Sequence, residues 1–564
     1  MNVSKYIINF FKSKKIKNFY VFQGGAIMNV INEIGKDKSL KYLVPHHEQS
    51  LSMQVDTSAR LDGYSVGMVT SGPGATNILT GVCSAYYDSI PCFFITGQVG
   101  QVHIKKNKKY RQLGFQETDV VSIFKSVTKY CKQIKNENEI RYELEKAYNI
   151  SISGRPGPVL LDIPFNIQKK QVKKLKPFKE KIYKCKNYNF LHEKNEINKL
   201  LKKSSKLMFV IGGGIKNSKN QEKIIKFLSS SKIPFALTWT SFDIVDQKNN
   251  YYLGCIGKNG HRSANIACEE ADIIFTLGQR FAVKNIYGDF GKKAKIIAID
   301  IDDQEIKSNF VKIKRGINLS IDDFYQKILK NINFSKNLKW IKKITNLKKN
   351  QFYINVESNK SIKENLVNPF IFMNKISNLI DKSYVIHCDI GAHQTWFFQS
   401  FNQKKGQKII NHCGHGAMGH SVCSAIAANF LYKNKKNIAF IGDGGFMMNL
   451  QELNLINPNN KNIKIIVLNN SSLGNTFLGT LNTFKKTYGN EKKYGYSPPD
   501  VKSISKGFNL TYLKIEKNSK ILPIFKKFIK LKRSAILDVR ISKYQPTAEL
   551  HQINTTKNFI KIDF

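Results

Sequence analysis

The chain is short of acidic residues, has no C-x-x-C pair and has no long apolar run, and each deficit removes a class of protein. Apolar runs are broken by Lys, Asn or Gly well before the roughly 18 residues that a membrane-spanning helix needs, so no span is expected. Near the N-terminus, VSKYIINFFKSKKIKNF sets Tyr6, Ile7, Phe10 and Phe11 on one helical face but puts lysines where an export signal must stay apolar. A cytoplasmic protein is the expectation. Nine cysteines without a C-x-x-C pair indicate neither a zinc site nor a disulfide frame, so reduced and mostly buried thiols are expected. Acidic residues number 41 against 90 basic ones, a formal charge of +49. A nucleic-acid binder would gather that surplus into one basic stripe with interleaved aromatics. Here the lysines are spread over nearly every expected helix among Asn and Ile, so no nucleic-acid partner is expected, and the charge favours an anionic substrate.

What the chain does have is length and rhythm. Its 564 residues exceed one hydrophobic core and suggest about three domains. Short apolar strands at 19–22, 66–69, 92–95 and 159–163 alternate with helical stretches, the pattern of a parallel sheet wrapped by helices. The lysine-rich run QKKQVKKLKPFKEKIYKCKNYN then breaks the pattern. A second unit starts at KLMFVIGGGI and continues through ADIIFTLG and AKIIAIDID, before a Lys- and Asn-rich stretch around 335–360. A third runs from SYVIHCDIG through NIAFIGDGG and IKIIVLNNS to SAILDVRI. The expected fold is α/β, with three doubly wound parallel-sheet domains at 1–168, 186–335 and 360–548 and no close internal sequence repeat.

The third unit carries the clearest chemistry. A strand ending in Gly-Asp-Gly delivers Asp443 to the carboxyl edge of a parallel sheet, where glycines let the backbone approach a phosphate and the next helix offers its N-terminus. The following strand ends in Asn469 and Asn470 at the same edge. A hard cation such as Mg²⁺ takes oxygen ligands and shares them with a diphosphate, so Asp443 and the Asn470 amide oxygen suit a metal–diphosphate clamp.

These features, with 24 residues (445–468) between the two elements, resemble the thiamin-diphosphate (ThDP) enzymes of the acetolactate synthase group. The resemblance covers essentially the whole chain: PHHEQSLSM, TSGPGATN, PCFFITGQV, GFQETDVV, GRPGPVLLDIP, GAHQTW, GHGAMG and GDGGFMMNLQEL occur in that group's order. It implies a pyrimidine-binding first domain, a Rossmann-like middle domain and a diphosphate-binding third domain. Glu48 matches the glutamate that drives the aminopyrimidine to its imino form by relaying a proton. Met418 matches the side chain beneath the bent cofactor, and the Gly416 carbonyl the acceptor for its 4′-amino group. Gly391, Ala392 and His393 match the loop that meets the diphosphate, Gly444 and Gly445 match its backbone donors, and the Ser472 carbonyl matches a third metal ligand. Gly24, Gly25, Pro73 and Asn77 would close over the pyrimidine from a partner subunit, making a dimer the minimum active unit and a tetramer the further expectation. Gln116, with Phe115 beside it, matches a residue near the reacting 2-oxo acid.

Departures from the group concern the second substrate. Phe165 stands where a lysine follows DIP, FAVK replaces FDDR and leaves Lys284 for an arginine, and GNT with Gly479 replaces GMV and a tryptophan, so Asn475 stands for a methionine. An acceptor pocket without that cation, methionine and aromatic suits a larger carbonyl compound such as a nucleotide-linked keto sugar. The alternative is biosynthetic acetolactate synthesis from two pyruvates. HIKKNKKY adds cations near the expected mouth, either a solvated loop or an arm for an anionic substrate. The group also holds FAD in its middle domain; VIGGGI and Arg280 match parts of that site and leave FAD open.

Overall fold

The computed structural model describes residues 1–107, 109–179, 188–202, 204–286, 288, 290–307, 310–349, 353–355, 364–456, 463–547 and 559–561. The limits 186, 360 and 548, part of the lysine-rich run and Lys108 therefore lie outside the described residues.

Three six-stranded sheets, all parallel, form the frame. In the first, β1 (Asn18–Val21), β2 (Lys41–Leu43), β3 (Ser65–Val69), β4 (Cys92–Gln98), β5 (Tyr130–Gln133) and β6 (Val159–Pro164) lie in the order 2-1-3-4-6-5. The second contains β7 (Leu207–Ile211), β8 (Phe235–Leu237), β9 (Tyr252–Cys255), β10 (Ile273–Leu277), β11 (Lys295–Asp300) and β12 (Ile313–Asn318). Its order, 12-11-10-7-8-9, is that of a dinucleotide-binding sheet. After a short antiparallel pair, β13 (Tyr353–Asn355) with β20 (Phe559–Lys561), the third sheet holds β14 (Tyr384–Cys388), β15 (Lys408–Asn411), β16 (Lys436–Gly442), β17 (Ile463–Asn469), β18 (Thr511–Ile515) and β19 (Ala535–Arg540). Its order, 15-14-16-17-19-18, is the first sheet's order over again.

The strands read as nearly continuous apolar runs because helices cover both faces. CFFITGQ in β4 and IKIIVLN in β17 are buried at every position. The helix Glu48–Asp62 lies against the helix His420–Leu431 and joins the first sheet to the third: Leu51 and Val55 share a core with Ala427, and Leu61 shares one with Ala428. In the Lys- and Asn-rich stretch after β12, the helix Leu338–Lys349 buries Trp340, Ile341 and Ile344 against the middle sheet's layer, with Lys339, Lys342 and Lys343 facing out. Trp340 donates its Nε1–H to Glu270 at 3.0 Å. Of the nine cysteines, the eight described are free thiols and six of them are buried. Among the described residues no helix is long and apolar enough to cross a membrane.

Candidate functional site

Strand register explains why distant residues converge. Gly442 pairs with Leu468 across β16 and β17, so Asp443 and Asn470 leave the same sheet edge within a residue of each other. Cys388 pairs with Phe440 on the other side of β16, which brings Asp389 and the Gly391–His393 turn to that edge as well.

Asp443 is 2% exposed, and its Oδ2 has no hydrogen-bond partner. Burial pushes its carboxyl up to about 7, against the pull of its own and Gly444's amides. A dry carboxylate with an unmatched oxygen is costly unless a cation meets it. Three more buried polar atoms without partners lie in this region: Ser472 Oγ, His393 Nε2 and Tyr496 Oη. Asn470 accepts the Ser472 amide at 3.3 Å. A Cβ on Gly444 would come within 2.7 Å of Leu473 Cδ2 and 3.4 Å of both Met418 Cε and Tyr496 Oη, so Gly444 sits against all three side chains. His393 packs against Gly391, whose φ of 155° a side chain would strain, and burial pulls the imidazole down to about 3, leaving it neutral. Such a set, with oxygen donors, a glycine cradle and unmatched polar atoms, fits a divalent cation and a diphosphate.

Asp389, the first residue of DIGAHQ, ties this edge together in a role the sequence did not show. Its carboxylate accepts the amides of Ile390 at 2.8 Å, Gly419 at 2.9 Å and Ser421 at 2.7 Å, locking the Gly391 turn to the loop of Gly416 and Met418. Tyr496 was equally silent in sequence, since only the fold places its hydroxyl beside Gly444.

A second group gathers at the carboxyl edge of the first sheet. Glu48 opens its helix after His47, whose Nδ1 accepts the Gln49 amide. It is 8% exposed and accepts from Asn77 Nδ2 at 3.0 Å, while Gly74 lies against its other oxygen. Pro73 opens the short helix Pro73–Asn77 and is exposed. Gly72 backs onto Gln116, which adopts φ 64°. Gly24 is tighter still: a Cβ there would lie 2.5 Å from Thr70 Cβ, whereas Gly25 faces open space. Gly24→Ala is expected to cost about 1–3 kcal/mol of stability by overpacking, with Gly25→Ala nearly neutral; denaturant unfolding of both variants checks this contrast.

The described contacts draw Glu48 with Asn77 into one group and Asp443, Asn470, Ser472, Gly444, Met418 and His393 into another. The expected substrate residues are more scattered. Lys284 Nζ lies 3.4 Å from Gln394 Oε1 and 4.1 Å from the Trp239 ring centroid, so a cation does reach the residue after His393. Phe165 starts the helix Phe165–Lys169 half-buried under Lys169 Nζ. Phe115 is 87% exposed. Asn475 and Gly479 stand four residues apart on the exposed face of the helix Gly474–Phe484, and nothing lies within 4 Å of where a Gly479 side chain would start. In the basic loop, Lys105 donates to the Arg111 carbonyl, and Glu117 gathers the amides of Lys105, Leu113 and Gly114, which leaves Lys106 and Lys109 as its free-standing cations among the described residues.

Three family models fall on these sheets in order: the N-terminal TPP binding domain of thiamine pyrophosphate enzymes on residues 1–123, their central domain on 195–327 and their C-terminal TPP binding domain on 389–539. The acetolactate synthase large subunit of Cyanidium caldarium is 30% identical over 488 residues, 83% of this chain and 81% of that one. The chain belongs to the thiamine pyrophosphate enzymes, in the acetolactate synthase group. Similar too are the probable acetolactate synthase large subunit of Methanocaldococcus jannaschii, 30% identical over 89% of this chain and 85% of its own length, and the acetolactate synthase large subunit of Lactococcus lactis subsp. lactis, 29% over 96% and 92%.

Proposed function

We propose that this thiamine pyrophosphate enzyme decarboxylates a 2-oxo acid and joins the resulting two-carbon unit to a second carbonyl compound. The observation that carries the reading is the buried Asp443 carboxylate, left with one unmatched oxygen beside Asn470 and Ser472. Asp443, the Asn470 amide oxygen and the Ser472 carbonyl would hold Mg²⁺, and Gly391, Ala392, His393, Gly444 and Gly445 would border the diphosphate. When bound, ThDP supplies the carbon nucleophile that attacks the 2-oxo acid. Glu48 takes and returns a proton at its carboxylate, held in place by Asn77. Met418 would lie beneath the cofactor, the Gly416 carbonyl would accept from its amine, and Gln116, with Phe115 beside it, would lie near the first substrate. Glu48 with Asn77, and Gly24, Gly25 and Pro73 with them, would together serve a neighbouring copy's site, so the working form is a dimer or a tetramer. We read the domains as 1–168, 186–335 and 360–548, with the helix Leu338–Lys349 as a strap onto the middle one. A cleft of about 1280 Å³, bordered by Gly213, Gly214 and Arg280, is where FAD would be held, and visible absorption of the purified protein decides its presence.

For the acceptor, the comparisons favour a second pyruvate over the keto sugar expected from sequence. The relatives are named acetolactate synthases, and Lys284 keeps a cation beside Gln394. The open helix face at Asn475 and Gly479 supports the larger acceptor as a second reading. Competition between pyruvate and candidate aldehydes, 2-oxo acids and nucleotide keto sugars separates the two. Acetolactate as the dominant product is expected; a sugar adduct in excess at equal concentrations would reverse the choice, and neither product with any donor would sink both.

A further inference from the structure

One buried cluster takes no part in the chemistry described above. Asp56 lies in the middle of the helix Glu48–Asp62, and His412 and His420 stand at either end of the loop that carries Gly416 and Met418. All three are buried, with Asp56 and His420 fully enclosed. His412 Nε2 lies 2.8 Å from Asp56 Oδ2, and His420 Nε2 lies 3.5 Å from the same oxygen. The two imidazoles stack with centroids 3.1 Å apart and planes 20° from parallel. Yet none of their four ring nitrogens makes an aligned hydrogen bond, the close approach to Asp56 included. Burial holds both rings well below the usual imidazole range and therefore neutral.

Charge at the cluster is unbalanced. Arg60 donates Nε to Asp56 Oδ2 at 2.9 Å, Nη2 to Asp56 Oδ1 at 3.2 Å and Nη2 to Asp88 Oδ2 at 2.8 Å, so one guanidinium serves two carboxylates. In a dry interior, two stacked neutral imidazoles that leave their ring nitrogens without aligned partners are costly unless a further group satisfies those nitrogens.

We infer that Asp56, His412 and His420 bind a first-row divalent cation of the zinc type, separate from the one at Asp443, and that this ion closes the Gly416–Met418 loop at its base. Ligand bonds of about 2.0–2.1 Å in tetrahedral array put donor atoms about 3.3 Å apart, and all the donor atoms here lie within 4.8 Å of one another. Two nitrogens and one oxygen select zinc, cobalt or nickel over magnesium, which prefers oxygen alone. The missing C-x-x-C pairs leave a thiolate site without a motif and say nothing about imidazoles. Because the loop is anchored at both ends to a helix of the first sheet's layer, the ion would set the height of Gly416 and Met418 without touching a substrate.

The test uses the full-length protein, stripped with a chelator, refilled with excess Mg²⁺ and ThDP, and titrated with Co²⁺. One Co²⁺ per chain is expected, with visible ligand-field bands that Zn²⁺ abolishes. X-ray absorption of the wild-type cobalt form should show two imidazole scatterers. His412→Ser and His420→Phe should each weaken binding about tenfold or more, whereas Asp443→Asn should keep the bands. Absence of a band in the wild type, an all-oxygen shell, or binding that survives both histidine substitutions overturns the site. The wild-type spectra decide the matter if either variant fails to fold, and none of these outcomes bears on the ThDP reading.

Discussion

Replacing Glu48 by Gln is expected to slow deuterium uptake at the reactive carbon of bound thiamin diphosphate by about a hundredfold or more, the effect of removing an essential acid–base group. Gln keeps the length of the side chain, and its amide oxygen can still accept from Asn77 Nδ2, which now reaches Glu48 at 3.0 Å. The backbone of the helix start is untouched, because His47 rather than Glu48 caps it. The fold therefore loses only a first-turn acid at a helix N-terminus, about 0.3–1 kcal/mol. Quenched-flow exchange followed by NMR, alongside thermal unfolding, separates the two quantities. An exchange rate equal to that of the wild type would remove Glu48 from the proton path.

Asp443→Asn is expected to do two opposite things: stabilise the metal-free protein by about 1–3 kcal/mol and abolish the stabilisation that Mg²⁺ with ThDP confers. The first follows from a carboxylate whose Oδ2 is buried without a partner. Its folded pKa of about 7 lies above the ordinary carboxyl value because burial penalises the anion. A raised pKa contributes stability that is full below the unfolded value and lost as pH rises through about 7, so the metal-free wild type weakens across that window. A neutral Asn escapes that loss, and the gap between variant and wild type narrows as pH falls from about 8 to about 5. With ligand at about a hundred times its Kd, the wild type gains about 2.7 kcal/mol, and the variant gains none. Melting curves at several pH values, with and without Mg²⁺ and ThDP, read both effects. A variant that still responds to the ligands would remove Asp443 from the metal site.

What the sequence made legible followed from how thoroughly each segment is buried. β4, β7, β10, β14, β16, β17 and β19 are long apolar runs, and their parallel pairing follows from the helices between them. β5, β8, β9, β12, β15 and β18 gave little signal: five of the six lack a continuous apolar run, and β8 has only three residues. β12, for instance, alternates Ile with Lys, Arg and Asn at the sheet margin. The helix Leu338–Lys349 was masked in the same way, its lysines hiding three apolar positions at helical spacing. At the site, Asp443 and Asn470 were readable because a short motif carries each. Asp389 was not, because its role lies in accepting amides from Gly419 and Ser421, some thirty residues away in sequence. The histidine cluster needed the packing of two layers before His412, His420 and Asp56 could meet.

The first and third sheets follow one winding plan, and that shared plan has a consequence for how the two edges divide their labour. Glu48 leaves the second strand of the first sheet, and the Gly416–Met418 loop leaves the second strand of the third, so the two occupy equivalent places in twin scaffolds. The helices that follow them are the pair packed on each other. A shared symmetry of shape thus frames an asymmetry of chemistry: that corner holds an acid in the first sheet's layer, and a glycine and a thioether in the third's. A ligand with unlike ends needs two unlike receptors, and two sheets of one winding plan that carry different residues at the same corner can supply both.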